Sequence, residues 1–153
     1  MYQKIMVPLD GSQVAECVIS HIETIAGKSD TNVELVTVIE PLEIPTRGKI
    51  ALSDDDIKQI DAEGKKEAHK YLDQVSSRLR KAGVNARAVL LTGKAAESLV
   101  RYANNNDVDL IIMATHGRSG ISKIFWGSVA EKILRATAIP VLLIKTTNCE
   151  IES

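Results

Sequence analysis

The feature that most constrains the fold of this chain is the order of its apolar patterns. Short uninterrupted apolar runs alternate with stretches of helical periodicity along the whole sequence. The first run, Lys4-Ile5-Met6-Val7-Pro8-Leu9, reads as a strand buried on both faces, and Asp10-Gly11-Ser12 ends it. Ala15, Val18, Ile22 and Ile25 then recur at helical spacing, which predicts a helix of about four turns closed near Gly27. Val33 to Ile39 is the second expected strand. Glu40 to Ser53, broken by Pro41, Pro45 and Gly48, predicts a mobile connection, long for a compact domain and placed to act as a lid. Asp54, Asp55 and Asp56 suit a helix amino end, and Ile57, Ile60, Ala68, Tyr71, Leu72, Val75 and Leu79 extend the longest helix toward Gly83. The pattern continues with a strand over Val84 to Leu91, a helix over Ala95 to Ala103 and a strand over Asp109 to Ala114. A helix marked by Val129, Ile133 and Ala136 and a strand over Val141-Leu142-Leu143-Ile144 complete it.

Strands separated by helices cannot close as hairpins, so this order predicts an α/β, doubly wound, five-stranded parallel sheet with right-handed crossovers and helices on both faces. The expected strand order is 3-2-1-4-5. No internal repeat, low-complexity tract or linker divides the chain, and a single domain over 1–153 is expected. A chain of 153 residues buries roughly 70% of its unfolded surface, enough to hold a core without staples. A formal charge of -1 supplies no broad positive field for a nucleic-acid backbone or an anionic membrane, and one Trp, three Tyr and one Phe make no base-stacking platform. No nucleic-acid or membrane partner is therefore expected, and no run is apolar for long enough to span a bilayer. The opening apolar run is too short for a signal peptide. Cys17 and Cys149 are too few for a disulfide framework or a zinc site, so Cys17 reads as a small core residue and the cytosol as the compartment.

In an open doubly wound sheet, ligands bind beyond the carboxyl ends of the strands, where successive connections leave for opposite faces. Order 3-2-1-4-5 puts that crevice between the first and fourth strands. The candidate residues are Pro8 to Ser12 on one side and Met113 to Gly120 on the other, followed by Gly127 and Ser128 at the start of the last helix. Glycines let backbone N–H groups approach an anion, and a helix amino end adds unpaired donors and partial positive charge. Arg118 and Lys123 could neutralise a phosphate there.

At these residues the chain resembles the universal stress protein family, from Lys4 to Lys145. Val7-Pro8-Leu9-Asp10-Gly11-Ser12 looks like the family's first-strand ending, and Gly93-Lys94-Ala95-Ala96-Glu97 resembles its entry to the third helix. Met113 to Gly120 followed by Gly127-Ser128-Val129-Ala130-Glu131-Lys132-Ile133-Leu134 carries the longest similarity. Nucleotide-binding members show G-x-x-G, nine residues, then G followed by S or T; this chain has Ala114-x-x-Gly117, nine residues, then Gly127-Ser128. The resemblance implies binding of ATP, or of AMP or ADP, with magnesium carried on the phosphates. It implies Asp10 on the ribose or adenine side, Val38 at the adenine, Ala114 to Gly120 at the sugar and phosphates, and Ser128 to Ala130 at the terminal phosphates. The full set of expected nucleotide contacts is Pro8, Asp10, Val38, Met113, Ala114, His116, Gly117, Arg118, Ser119, Gly120, Gly127, Ser128, Val129 and Ala130.

Local structure offers the same residues other duties. Ser128 stands three before Glu131, the spacing of a capping box, and Asp10-Gly11-Ser12 suits a turn followed by a helix cap. Ile121, Ile124, Phe125 and Trp126 read as packing of the loop onto the sheet, with an exposed contact surface as the alternative. No Ser-His-Asp, Cys-His or metal-binding spacing accompanies His116, and no Walker sequence occurs, so little or no catalysis is expected beyond slow ATP hydrolysis. A receiver-type phospho-acceptor would need an Asp ending the third strand, where Leu90-Leu91-Thr92-Gly93 stands instead. The fifth strand would lie at a sheet edge with Val141, Leu142, Leu143 and Ile144 and no charge to guard it, which predicts a two-fold homodimer through that edge. The expected function is a regulatory or stress-protective adenine-nucleotide-binding protein. The competing reading, raised by Ala114, is a dimeric interaction module that binds no nucleotide.

Overall fold

The described residues of the computed structural model are 1–27, 30–42, 52–115 and 128–145. They form β1 (Lys4–Pro8), α1 (Gln13–Glu16), α2 (Ile19–Ala26), β2 (Asn32–Ile39), α3 (Asp54–Lys81), β3 (Asn85–Thr92), α4 (Ala95–Asn105), β4 (Leu110–Thr115), α5 (Ser128–Ala136) and β5 (Val141–Lys145). The sheet has order β3-β2-β1-β4-β5. Every pairing is parallel, with Ile5 in register with Val33 and Leu110, and Ile111 with Val141.

Successive residues of a strand point to opposite faces, and the central strands are apolar on both. Ile5, Val7, Val33, Leu35 and Ile112 meet Val18, Ile19 and Ile22 beside α2 and Leu72, Val75 and Leu79 of α3. Met6, Val36, Ile111 and Met113 meet Leu99 and Ala103 of α4 and Ala130 and Ile133 of α5. Each fully buried side chain of this size contributes about 1.5–3 kcal/mol, so the two cores clamp the sheet from both sides. Buried polar groups enter the second layer too, Ser98 of α4 and Glu34 among them. Glu34, 3% exposed, accepts a hydrogen bond from Arg87 Nη2 at 2.6 Å, and the same nitrogen lies 3.4 Å from Tyr102 Oη on α4. A buried carboxylate needs such a partner, and the contact ties β2, β3 and α4 together.

The first expected helix is divided. Cys17 and Val18 form a turn between α1 and α2, in which Val18 stays in the right-handed helical region at φ -74°, ψ -19° and its carbonyl accepts the Ile22 N–H at 3.0 Å. Cys17 is half-buried rather than a core residue, and it is disulfide-bonded, its partner sulfur lying outside the described residues. A thiol read as filling space thus has a covalent duty that apolar periodicity cannot reveal. β3 and β4 each begin one residue later than expected, a shift within the usual fraying of element ends. Most of the Glu40–Ser53 connection, expected to be mobile, lies outside the described residues. Among the described residues no helix is long and apolar enough to cross a membrane.

α3 begins at a capping box: Ser53 Oγ accepts the Asp56 N–H at 3.1 Å and Asp56 Oδ2 accepts the Ser53 N–H at 3.1 Å. At its other end Gly83, with φ +87°, lets the Val84 N–H return to Leu79 O at 3.0 Å. No α3 residue before Leu72 is buried, so the amino-terminal half of this helix rests on local interactions, including the Lys65–Asp61 pair at 2.9 Å. Gly64 interrupts that half, and a Cβ built on it meets nothing within 4 Å. Gly64→Ala should therefore raise stability by about 0.5–1 kcal/mol in urea unfolding; an unchanged or lowered midpoint would show that this half of α3 does not behave as an exposed helix.

Candidate functional site

β1 connects to β2 across the α1–α2 face, and β4 connects to β5 through α5 on the other face. Their carboxyl ends therefore open a crevice, as the switch-point rule requires. A cleft of about 250 Å³ occupies it, lined by Pro8, Leu9, Asp10, Ser12, Ala15, Val36, Val38, Ala95, Leu99, Met113, Ala114, Ser128, Val129 and Ala130. Strand ends make the floor, and α1, α4 and α5 make the walls. The lining is mainly apolar, with Asp10, Ser12 and Ser128 supplying polar side chains.

β1 is fixed past its last paired residue. The Leu9 N–H donates to Val36 O at 2.9 Å, and the buried Thr37 Oγ1 donates to Leu9 O at 2.8 Å. The chain then turns through Gly11 at φ +81°. Asp10 Oδ1 accepts the Ser12 N–H at 2.9 Å, an Asx turn, and Ser12 Oγ accepts the Ala15 N–H at 3.2 Å to cap α1. Both local duties foreseen for this segment are present, and both residues also line the cleft.

Three helix amino ends face this mouth. At α1 the Ala15 amide is taken by Ser12, and at α4 the Ala95 N–H donates to Glu40 Oε1 at 2.9 Å. The third belongs to α5, whose first three residues, Ser128, Val129 and Ala130, line the cleft. α5 runs over Ser128–Ala136, and the turn leading into it, which decides the expected Ser128–Glu131 capping box, lies outside the described residues. The residue before Ser128 in sequence is Gly127, which has no side chain to cap with. The first-turn amides of a helix have no intrahelical acceptor, and among the described residues no side chain takes those of α5, which suits this end to an external anion.

A second ring of residues supports the α1 wall. Arg78 Nη1 lies 4.0 Å from Glu16 Oε2. Tyr71, half-buried on α3, has its hydroxyl shielded from solvent. Burial first, and then the negative charges of Glu16 and Asp10, push its phenol pKa well above the ordinary 10.0.

Of the residues expected at the site, the structure gathers Pro8, Asp10, Val38, Met113, Ala114, Ser128, Val129 and Ala130 around one cleft. His116, Gly117, Arg118, Ser119, Gly120 and Gly127 lie outside the described residues, as do Ile121, Ile124, Phe125 and Trp126. Sequence reading missed Ala15, Val36, Ala95 and Leu99 as lining residues and Glu40 as the group on α4. Val36 and Leu99 are ordinary core residues in any linear pattern, and Glu40 gave no signal because its partner is 55 positions away.

The family model for the universal stress protein family matches residues 1–145. The chain belongs to that family. It is 28% identical to the universal stress protein MJ0577 of Methanocaldococcus jannaschii over 97% of this chain and 98% of that protein. Against the solved MJ0577 structure the fold superposes with a TM-score of 0.81, covering 97% of this chain and 99% of that one. A second universal stress protein of the same organism, MJ0531, is 30% identical over 98% of this chain and 86% of its own length. The universal stress protein of Archaeoglobus fulgidus, solved in complex with dAMP, is 25% identical with a TM-score of 0.63, covering 94% of this chain and 98% of that one.

In this universal stress protein, Tyr71 gives the α1 wall a pH signature. A folded-state pKa above the unfolded value means that the stability linked to the protonated phenol is fully present below about pH 10 and is lost as pH rises through the folded value. Tyr71→Phe keeps the ring and deletes the titration. Its unfolding midpoint should fall less than that of the parent chain between neutral and strongly alkaline pH. Parallel pH profiles for the two proteins would refute the placement of this hydroxyl.

Proposed function

We propose that this chain is a cytoplasmic, single-domain adenine-nucleotide-binding protein with a regulatory or stress-protective role, carrying ATP, ADP or AMP rather than turning it over rapidly. The observation that carries this reading is the apolar cleft at the β1/β4 mouth that ends on the first turn of α5, in a family whose Archaeoglobus fulgidus relative was solved with dAMP. Val38, Leu99 and Met113 offer apolar surface to a base. Asp10 supplies a carboxylate for a ribose hydroxyl, and the amides of Ser128 to Ala130 suit the phosphates. The sequence motif adds His116, Gly117, Arg118, Ser119, Gly120 and Gly127 to the phosphate side. Ala114 places one methyl where the motif has glycine, at the half-buried end of β4, a modest change in a wall that is already apolar. Among the described residues no group of three His, Cys, Asp or Glu side chains could hold a metal ion, so magnesium would arrive on the phosphate oxygens.

Ser128→Asp tests the phosphate placement. Ser128 is exposed and begins a helix, where an acid favours folding. Its added charge should weaken ATP binding about tenfold or more, equivalent to about 1.4 kcal/mol, and leave adenosine binding nearly unchanged in calorimetric titrations. Equal ATP affinities would remove the phosphates from α5. Failure of the parent chain to bind ATP, ADP, AMP or dAMP would leave the interaction-module reading in its place.

The same proposal includes a two-fold homodimer through β5. Among the described residues that strand is paired on one side only, its Leu142 is 39% exposed, and Leu134 of neighbouring α5 is also 39% exposed. An apolar edge with unpaired backbone groups is a template for a second strand. Leu142→Lys should convert a dimer to a monomer in sedimentation experiments. A parent chain that sediments as a monomer at all concentrations would sink the dimer.

A further inference from the structure

Two surfaces on opposite faces of the sheet lack a counterpart among the described residues, and they complement one another. The first is the amino-terminal half of α3. From Asp54 to Lys70 it buries no residue, and Ile60 is 43% exposed. At helical spacing Ile57, Ile60 and Gly64 share one stripe. Asp56 and Glu63 stand four before and three after Ile60, and Asp61 stands four after Ile57, so carboxylates flank the stripe on both sides. Between Asp54 and Gly64 there are five acids and one lysine, Lys58.

The second surface is the groove between α4 and α5, with Ala96, Val100 and Ala136 on its floor and Arg101, Lys132 and Arg135 along it, against the single acid Glu97. Arg135 is already engaged by Glu131 at 3.0 Å. Among the described residues Arg101 and Lys132 have no ion pair, and both are exposed. An apolar floor between uncommitted cations fits an acidic helix with an apolar stripe, and this chain displays such a helix. It cannot insert its own, because α3 packs on one face of the sheet and α4 and α5 on the other.

We propose that the acidic half of α3 docks into the α4–α5 groove of a second copy of this chain. The contact is separate from the β5 edge and from the β1/β4 cleft, so it stands whether or not the nucleotide reading holds. Exposed ion pairs are individually weak and screened by salt, so the association is weak, concentration-dependent and lost at high ionic strength. Its charge pattern sets the direction of insertion: Arg101 and Lys132 face the carboxylates that flank Ile57 and Ile60.

The test uses the full chain as an equal mixture of unlabelled and 15N-labelled protein, joined by a carbodiimide that condenses only touching amines and carboxylates. Peptide mass spectrometry should find Lys132 linked to Asp54, Asp61 or Glu63 in hybrid pairs carrying one label each, with yield falling severalfold as salt is raised. The double variant Asp54→Lys/Glu63→Lys, at exposed positions that flank the stripe, should cut hybrid products by about tenfold. Mixing it with Arg101→Glu/Lys132→Glu should restore them. Links confined to a single label, no link between the arm and the groove, or hybrid links indifferent to salt and to charge reversal would overturn the proposal. So would a groove that takes up an acidic segment of another protein while the chain never links to itself.

Discussion

A parallel sheet of this kind must be covered on both faces, and that requirement organises the rest of the molecule. Ile5, Met6 and Val7 are each fully buried, although consecutive side chains in a strand point in opposite directions. A strand apolar on both sides forces helices onto both sides. Each helix must then run back across the sheet before the next parallel strand begins. The cleft follows from this. β1 departs toward one face and β4 toward the other, and the gap between their carboxyl ends is left to whatever the flanking helix ends and side chains can hold.

What distinguishes the three helix amino ends at that mouth is the side chain the protein itself supplies. Ser12 serves α1 and Glu40 serves α4. At α5 no side chain among the described residues takes the first-turn amides, which suits them to an incoming anion. The same logic of supply and demand explains the interior. Glu34 is buried where Arg87 can meet it from β3. Tyr71 is held in its neutral form by burial and by the neighbouring carboxylates of Glu16 and Asp10.

α3 shows the converse. Its carboxyl-terminal half is anchored by Leu72, Val75 and Leu79 in the core, while its amino-terminal half is sustained by a capping box and an i,i+4 ion pair. Local devices of this kind stabilise a helix without specifying what lies against it. Such a segment can be long, regular and charged while contributing nothing to the core, and its exposed apolar stripe is then available to a partner.

The sequence by itself determined the class, the strand order and most element positions, because hydrophobic period and turn residues act locally and this chain states them without conflict. It also located the mouth of the sheet and half of the cleft lining, through the ends of β1 and β4 and the start of α5. Tertiary structure alone decided the rest. It seated Glu40 on α4, placed Tyr71 behind Asp10, brought Val36 and Leu99 to the cleft wall, divided the first helix and gave Cys17 a disulfide. Each of these joins residues distant along the chain, and no linear periodicity encodes which of two distant groups will meet when the helices settle onto the sheet.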